Sequence, residues 1–168
     1  MRTLDSSKRY VFLLASVVKL GSLTERCVYS QLYAAGARNF LFLDVPPIQR
    51  APLTLEQGAD AIALETRAVD SYNSLLSARV SALKKAHTGV WAKVFSTTKV
   101  FNNILDRPKK YGFENATGYC AAYANGTSEW DTQYEECGPA VDRYVWLNSL
   151  HPTHLVHKFV AREIAKVL

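Results

Sequence analysis

Three of the four histidines of the sequence lie within seven residues of one another: His151, His154 and His157. Histidine is the side chain whose ordinary pKa suits proton transfer near neutral pH, and it is also a common metal ligand. The segment Trp146–His157 is therefore the first place where chemistry is expected. The two possibilities are a metal site and a catalytic base.

A metal site fits the spacing of these histidines poorly. Residues three apart are neighbours on a helix, but His157 would point about 120° away from His151 around the helix axis. No cysteine or glutamate stands at a zinc-binding spacing from them, and the His-Glu-x-x-His pattern is absent from the sequence. We expect no metal and no other cofactor, and we interpret His154 and His157 as surface or capping residues.

His151 is placed differently from the other two. It directly follows a predicted strand, Tyr144–Leu147, and precedes Pro152, which suits the first turn of a helix. Its imidazole is then expected at the carboxyl end of a sheet. A catalytic histidine requires such fixed placement, together with a group that orients one ring nitrogen.

The elements that would position His151 alternate along the chain. A capping box, Ser22-Leu-Thr-Glu25, and a terminating Gly36 predict a helix over residues 23–35. The next segment, Asn39–Val45, has consecutive apolar residues and predicts a strand buried on both faces, ended by Pro46-Pro47. The remaining predictions, in chain order, are a connection over residues 46–55, a helix of about 25 residues containing Ile62 to Lys84, a strand over 90–95, a helix over 98–105, a strand over 144–147 and a terminal helix containing Leu155 to Val167.

This alternation predicts an α/β fold with a parallel sheet and helices on both faces. In such sheets the functional crevice lies at the carboxyl ends of the strands. Three segments meet that description: Asp44–Ile48, Ser96–Thr98 and Asn148–Thr153.

Composition limits the class of protein. The 168 residues carry a net charge of +5, with 48% apolar and 21% charged residues, which is typical of one globular domain. The basic residues are scattered except for Arg107–Lys110, so we expect no nucleic-acid partner, and no apolar run is long enough for a membrane span. The apolar stretch Val11–Val18 is interpreted as an element of the domain rather than a signal peptide.

Cys120 and Cys137 flank a polar segment without periodicity, and a bridge between them would be worth about 3 kcal/mol. Two Asn-x-Thr sequons, at Asn115 and Asn125, lie in or beside this segment. Disulfides and sequons together favour a secreted glycoprotein. Cys27, within the first predicted helix, is interpreted as an apolar core residue.

Several segments in this order resemble the GDSL/SGNH hydrolases, and specifically the fungal secreted branch classed as carbohydrate esterase family 16, the acetylesterases. The similarity extends from about residue 10 to residue 167. The segments that carry it are Gly36–Pro47, Arg50-Ala-Pro52, Tyr72-Asn73, Tyr111–Thr117, Leu150-His-Pro-Thr153 with His157, and the Cys120/Cys137 pair.

The resemblance implies a three-layer, flavodoxin-like fold and the hydrolysis of small esters such as acetylated sugars, without a cofactor. The family uses a serine nucleophile, a histidine base and an acid three residues before that histidine. His151 matches the base, whereas Asn148 occupies the position of the acid. An amide can orient imidazole but cannot stabilise imidazolium by charge, and an acid-to-amide change in a comparable triad costs about 10⁴ in turnover. Asp142 is a nearby alternative acid.

The resemblance also implies a Gly-Asp-Ser-like nucleophile block and glycine and Gly-x-Asn-Asp-like blocks for the oxyanion hole, and none occurs in the 168 residues. Ser6 and Ser7 lack the flanking strand and helix of a nucleophile turn. We therefore expect residues 1–168 to be one partial SGNH domain with its N-terminal strands missing, a polar excursion at residues 118–140 that is closed by a disulfide, and no significant turnover as the chain stands. The alternatives are a binding protein that associates through its exposed sheet and a truncated gene product.

Overall fold

The computed structural model of the chain describes residues 10–14 and 23–168, with side chains from residue 29 onward. Ser6, Ser7 and Ser22 lie outside the described residues, as does the side chain of Cys27. In chain order the elements are β1 (Tyr10–Leu14), α1 (Leu23–Ala34), β2 (Asn39–Leu43), α2 (Pro52–Glu56), α3 (Ala59–Ala86), β3 (Trp91–Phe95), α4 (Thr97–Asp106) and α5 (His154–Ala165), with short 3₁₀ turns between them.

The described strands form a parallel sheet in the order β1-β2-β3. Each pair of neighbouring strands is joined through a helix, α1 or α3, as parallel strands require. The predicted alternation of helices and strands with a parallel sheet is therefore confirmed. None of the helices in the described part of the chain is both long and apolar enough to cross a membrane.

The chain divides into two compact units. The first contains the sheet and comprises the residues up to Val45 together with Asp70–Ser96, and the second comprises Pro46–Val69 and Thr97–Leu168.

The core of the first unit lies on one face of β2. Phe40 and Phe42 pack there against Val80 and Leu83 of α3, with Tyr33 of α1 beside them. Residues 40–42 are all buried, which confirms the prediction that this strand is buried on both faces. Burial of each large apolar side chain contributes about 1.5–3 kcal/mol.

The helix α1 ends as its sequence predicts. Gly36 has a φ of 98°, a left-handed conformation that residues with a Cβ rarely adopt. The backbone N–H of Ala37 then donates to the carbonyl of Leu32, and this closes the last turn.

The segment that follows β2 is held by a side chain from α3. The amide of Asn73 accepts a hydrogen bond from the backbone N–H of Val45 at 2.8 Å and donates to the carbonyl of the same residue at 2.9 Å. One side chain thus satisfies both backbone groups of a buried residue beyond the strand.

The core of the second unit is formed by α4, α5 and the irregular chain between them. Its fully buried members include Ile104, Phe113, Trp146 and Val156. Arg50 donates to Asn102 at 2.8 Å and pairs with Asp106 at 2.7 Å, but both charged side chains are partly exposed, so this ion pair adds little to stability.

Two predictions of local structure were wrong. Tyr144–Leu147 is not a strand: its residues make only isolated bridges, Asn115 with Tyr144 and Trp146 with Pro152. Pro152 therefore precedes α5 instead of forming its first turn. The connection predicted over residues 46–55 contains a 3₁₀ turn and most of α2, whose first residue is Pro52.

We predict that Asn73→Asp lowers the free energy of unfolding by about 1–3 kcal/mol, because a carboxylate cannot donate to the carbonyl of Val45. Denaturant unfolding measures the change. Asn103→Asp, at an exposed position of α4, is the matched control and should change stability by less than about 0.5 kcal/mol. Equal losses in the two variants would contradict this role of Asn73.

Candidate active site

The loop that carries His151 is closed at its base by Thr153, which is 1% exposed. The backbone N–H of Thr153 donates to the carbonyl of Val145 at 2.9 Å, and its hydroxyl donates to the carbonyl of Tyr144 at 2.7 Å. One step further along the loop, the N–H of Leu147 donates to the carbonyl of His151 at 2.8 Å. These bonds turn residues 145–153 into a closed loop.

The first arm of this loop is anchored in the core of the second unit. Trp146 is 1% exposed, contacts the ring of Phe101, and donates its indole N–H to the carbonyl of Ala116 at 2.9 Å. The N–H of Val145 donates to the carbonyl of Asn115 at 2.8 Å. His151 thus owes its placement to a buried tryptophan and local hydrogen bonds. The expectation that a sheet strand directly precedes it was wrong.

Asn148 organises the tip of the loop. Its side-chain Oδ1 accepts hydrogen bonds from the backbone N–H groups of Leu150, at 3.0 Å, and His151, at 2.8 Å. The NH₂ group of an amide cannot accept a hydrogen bond, so these two backbone donors determine which way round the Asn148 amide sits.

The same oxygen lies 3.1 Å from Nδ1 of His151. An acceptor oxygen at that distance is favourable only when Nδ1 carries the proton. The backbone donors therefore assign the imidazole tautomer indirectly, through the amide of Asn148. Nε2 is left with its lone pair on an exposed ring, which is the form that a general base requires.

This geometry changes the expected cost of an amide at the acid position. In a serine-protease triad, an Asp→Asn change lowers turnover about 10⁴-fold because the amide favours the wrong imidazole tautomer. Here the orientation of Asn148 is fixed by Leu150 and His151, so the correct tautomer is kept. What the amide lacks is the charge that would stabilise imidazolium.

The described contacts of Asp142 do not include the ring of His151. Its carboxylate faces the guanidinium of Arg143, with 3.6 Å between Oδ1 and Nε. The described contact to the ring of His151 comes from Asn148.

The other two histidines lie on α5. His154 is its first residue, and its ring packs on the indole of Trp130, with 4.7 Å between the ring centroids. Desolvation, followed by the charges of His151 and His154, lowers the pKa of His157 below its usual value of 6.5. Among the described residues, no group of three or more His, Cys, Asp or Glu side chains is placed to hold a metal ion.

The boundary between the two units runs through two of the three predicted crevice segments, so that Pro46–Ile48 and Thr97–Thr98 belong to the second unit. Asp44, Val45 and Ser96 belong to the first unit, whereas residues 148–153 belong to the second. Within the second unit, the loop is joined to α2, because the N–H of Leu53 donates to the carbonyl of Ser149 at 2.8 Å. Sequence reasoning missed this bond and the role of Thr153, although threonine is a common residue before a helix.

Cys120 and Cys137 form a disulfide. It closes a segment that has its own small core, in which Tyr123 is 1% exposed and the hydroxyl of Tyr144 donates to the carbonyl of Cys137 at 2.5 Å. The polar excursion is therefore a packed substructure.

No family model matches the chain. It is 36% identical to an acetylesterase from Thermothelomyces thermophilus over 135 residues, which are 80% of this chain and 39% of that protein. It is 29% identical to the GDSL esterase/lipase APG from Arabidopsis thaliana, over 78% of this chain and 39% of that protein. It is 26% identical to a thermolabile hemolysin from Vibrio parahaemolyticus, over 80% of this chain and 33% of that protein.

The chain is a relative of the GDSL/SGNH hydrolases. It spans two fifths or less of the length of these curated relatives. The α/β architecture with a small parallel sheet agrees with that relationship.

For this GDSL/SGNH relative we predict that His151 is protonated at Nδ1 in its neutral form, which ¹⁵N chemical shifts of the imidazole measure directly. Asn148→Asp keeps the acceptor and should keep this tautomer, whereas Asn148→Leu should lose the preference. Ser149→Ala leaves every backbone donor in place and is the control. Protonation at Nε2 in the unaltered protein would contradict the assignment.

We also predict that His157 titrates below pH 6.5, and that His151→Gln or His154→Gln raises its midpoint, because each removes a neighbouring positive charge. Since the unfolded chain binds this proton more tightly than the folded chain, the contribution of His157 to stability is complete above about pH 6.5 and decreases as the pH falls below it. NMR titration measures the midpoint. A midpoint that is unchanged in both variants would show that the histidine charges do not act on His157.

Proposed function

We propose that the chain supplies the base of a serine esterase site, with His151 as the general base and Asn148 as the residue that orients it. The observation that carries the proposal is the pair of contacts made by Asn148 Oδ1, which leave Nε2 of His151 free to accept a proton. The relationship to an acetylesterase and to GDSL esterase/lipases supports ester bonds as the target.

In this mechanism Nε2 of His151 takes the proton of a serine hydroxyl as the serine oxygen attacks the ester carbonyl. The imidazolium then gives that proton to the departing alcohol, which leaves an acyl-serine. Water repeats the sequence: it loses a proton to Nε2 as its oxygen attacks the acyl group, and the imidazolium returns that proton to the serine oxygen as the acid is released. The amide of Asn148 holds the ring through both steps.

We place the serine and the oxyanion donors in polypeptide outside the 168 residues. The support is that the sequence holds no Gly-Asp-Ser-like block and that the chain spans 39% of the acetylesterase it matches. Small acetyl esters, acetylated sugars included, are the proposed substrate class, because the acetylesterase has the highest identity of the relatives described above.

We further propose that the protein is a secreted glycoprotein. The Cys120–Cys137 disulfide supports an oxidising compartment. Of the two sequons, Asn125 is exposed beside Gly126 in a turn. Asn115 is half-buried, and its Oδ1 accepts hydrogen bonds from the N–H groups of Thr117 and Gly118. Asn125 is therefore the better acceptor of a glycan.

The function is tested on the 168-residue chain and on the gene product extended by the in-frame sequence upstream of residue 1. With a chromogenic acetate ester, the chain alone should show no His151-dependent rate. The extended product should be active, and His151→Ala should lower its rate about 10²–10⁴-fold. Asn148→Asp should raise the rate about tenfold through a charge-assisted hydrogen bond.

His154→Ala and His157→Ala are matched controls for His151→Ala, since both also remove an imidazole from the same region. They should keep most of the activity. Two results would contradict the proposal: an extended product that is insensitive to His151→Ala, or a 168-residue chain whose own activity disappears with that substitution.

Glycosylation is tested by expression in a secretory eukaryotic host and mass measurement. Asn125→Gln should remove one glycan, while Asn115→Gln should leave the glycan mass unchanged, because Asn115 is engaged in its own turn. A glycan found on Asn115 but not on Asn125 would reverse the assignment.

A further inference from the structure

Trp130 is an exposed residue of the second unit that takes no part in the proposed general-base mechanism. Its side chain is 71% exposed, although it is one of the largest apolar side chains. Tryptophan is enriched where proteins bind other molecules.

The exposed indole lies next to the proposed catalytic loop. Its ring packs on the imidazole of His154, at a centroid separation of 4.7 Å and an interplanar angle of 56°. His154 is the first residue of α5 and follows His151 by only three positions. A molecule lying on the indole would therefore lie beside the start of α5, which directly follows the loop of His151 in the chain.

The backbone around Trp130 is fixed before any ligand arrives. The hydroxyl of Thr132 donates to the carbonyl of Glu129 at 3.0 Å and accepts from the N–H of Glu129 at 3.1 Å. The N–H of Val141 donates to the carbonyl of Thr132 at 2.9 Å, and the disulfide closes the segment. A surface ordered in advance loses less entropy when a ligand binds.

The neighbours of Trp130 define the chemistry of a ligand. Glu129 and Asp131 flank it in sequence, and both are exposed carboxylates that accept hydrogen bonds from hydroxyl groups. A pyranose ring offers an apolar C–H face to the negative face of an indole and hydroxyl groups around its edge. A fatty acyl chain has no hydroxyl groups and offers no hydrogen-bond donor to either carboxylate. The surroundings therefore favour a sugar over a lipid.

We propose that Trp130, backed by His154, is a stacking platform for a sugar ring on the alcohol side of the ester. The role of this platform in catalysis rests on the proposed function, because the sugar ring is the part of the substrate that lies outside the ester bond being cleaved. The platform itself needs neither a serine nor turnover.

Binding to the 168-residue chain tests the platform directly, with xylobiose as the probe and ¹⁵N-labelled tryptophan side chains as reporters. The chain has three tryptophans, and Trp91 and Trp146 are the internal controls. Xylobiose should shift the indole resonance of Trp130 with a Kd in roughly the millimolar range and leave the other two unchanged. Trp130→Phe should keep weaker binding, and Trp130→Ala should weaken it about tenfold or more.

An unchanged Trp146 resonance in Trp130→Ala shows that the variant is folded. The platform is overturned if xylobiose shifts no indole resonance, if Trp130→Ala binds it equally well, or if phosphatidylcholine micelles shift Trp130 while xylobiose does not. The last result would assign the indole to lipid.

Kinetics of the extended gene product separate this inference from the proposed function. With acetylated xylobiose, Trp130→Ala should raise KM about tenfold and leave kcat nearly unchanged, while hydrolysis of the small acetate ester stays the same. Unchanged KM in a protein that still requires His151 would overturn the platform alone. Sugar binding through Trp130 in a product without His151-dependent hydrolysis would overturn the proposed function alone.

Discussion

The candidate site depends on the closure of one loop by Thr153. Its hydroxyl and its backbone N–H reach the carbonyls of two consecutive residues, Tyr144 and Val145, inside the core of the second unit. Both carbonyls would be costly to bury without partners. Because this closure determines where the chain leaves and re-enters the core, it also determines where Asn148 and His151 face each other.

Within that loop, the direction in which the amide of Asn148 points sets the tautomer of His151, and this requires no charge. A carboxylate can accept hydrogen bonds through either oxygen, so it orients imidazole whichever way it sits. An amide has one acceptor and must be held the right way round, and the N–H groups of Leu150 and His151 do this for Asn148. The loop thus orients the imidazole as an acid would, but it supplies no negative charge to stabilise imidazolium.

Periodicity predicted most of the regular structure correctly. The helix ended by Gly36, the buried strand around Leu41 and the long helix α3 all follow from local patterns, because their burial is repetitive along the chain. The apolar run Tyr144–Leu147 was misread as a strand because irregular chain packed into a core buries the same kinds of residue. No local pattern distinguishes the two when the partners, such as Ala116 and Thr153, are distant in sequence.

The candidate site likewise contains one contact that the sequence predicted and one that it did not. The pairing of Asn148 with His151 spans three residues and was anticipated from the resemblance to the GDSL/SGNH hydrolases. The packing of Trp130 on His154 joins residues 24 positions apart, and only the closed segment between the cysteines brings them together. Contacts of that kind depend on the three-dimensional path of the chain, which no single stretch of sequence specifies.

The disulfide-closed segment also divides the molecule into parts that can change separately. Its internal packing relies on Tyr123 and Cys137, and its exposed residues make no contribution to the hydrogen bonds that close the loop around His151. Substitutions at the outer surface of this segment can therefore accumulate without altering the geometry of the base. The outer surface of this segment can therefore vary while the hydrogen bonds of Thr153 that close the loop around His151 stay the same.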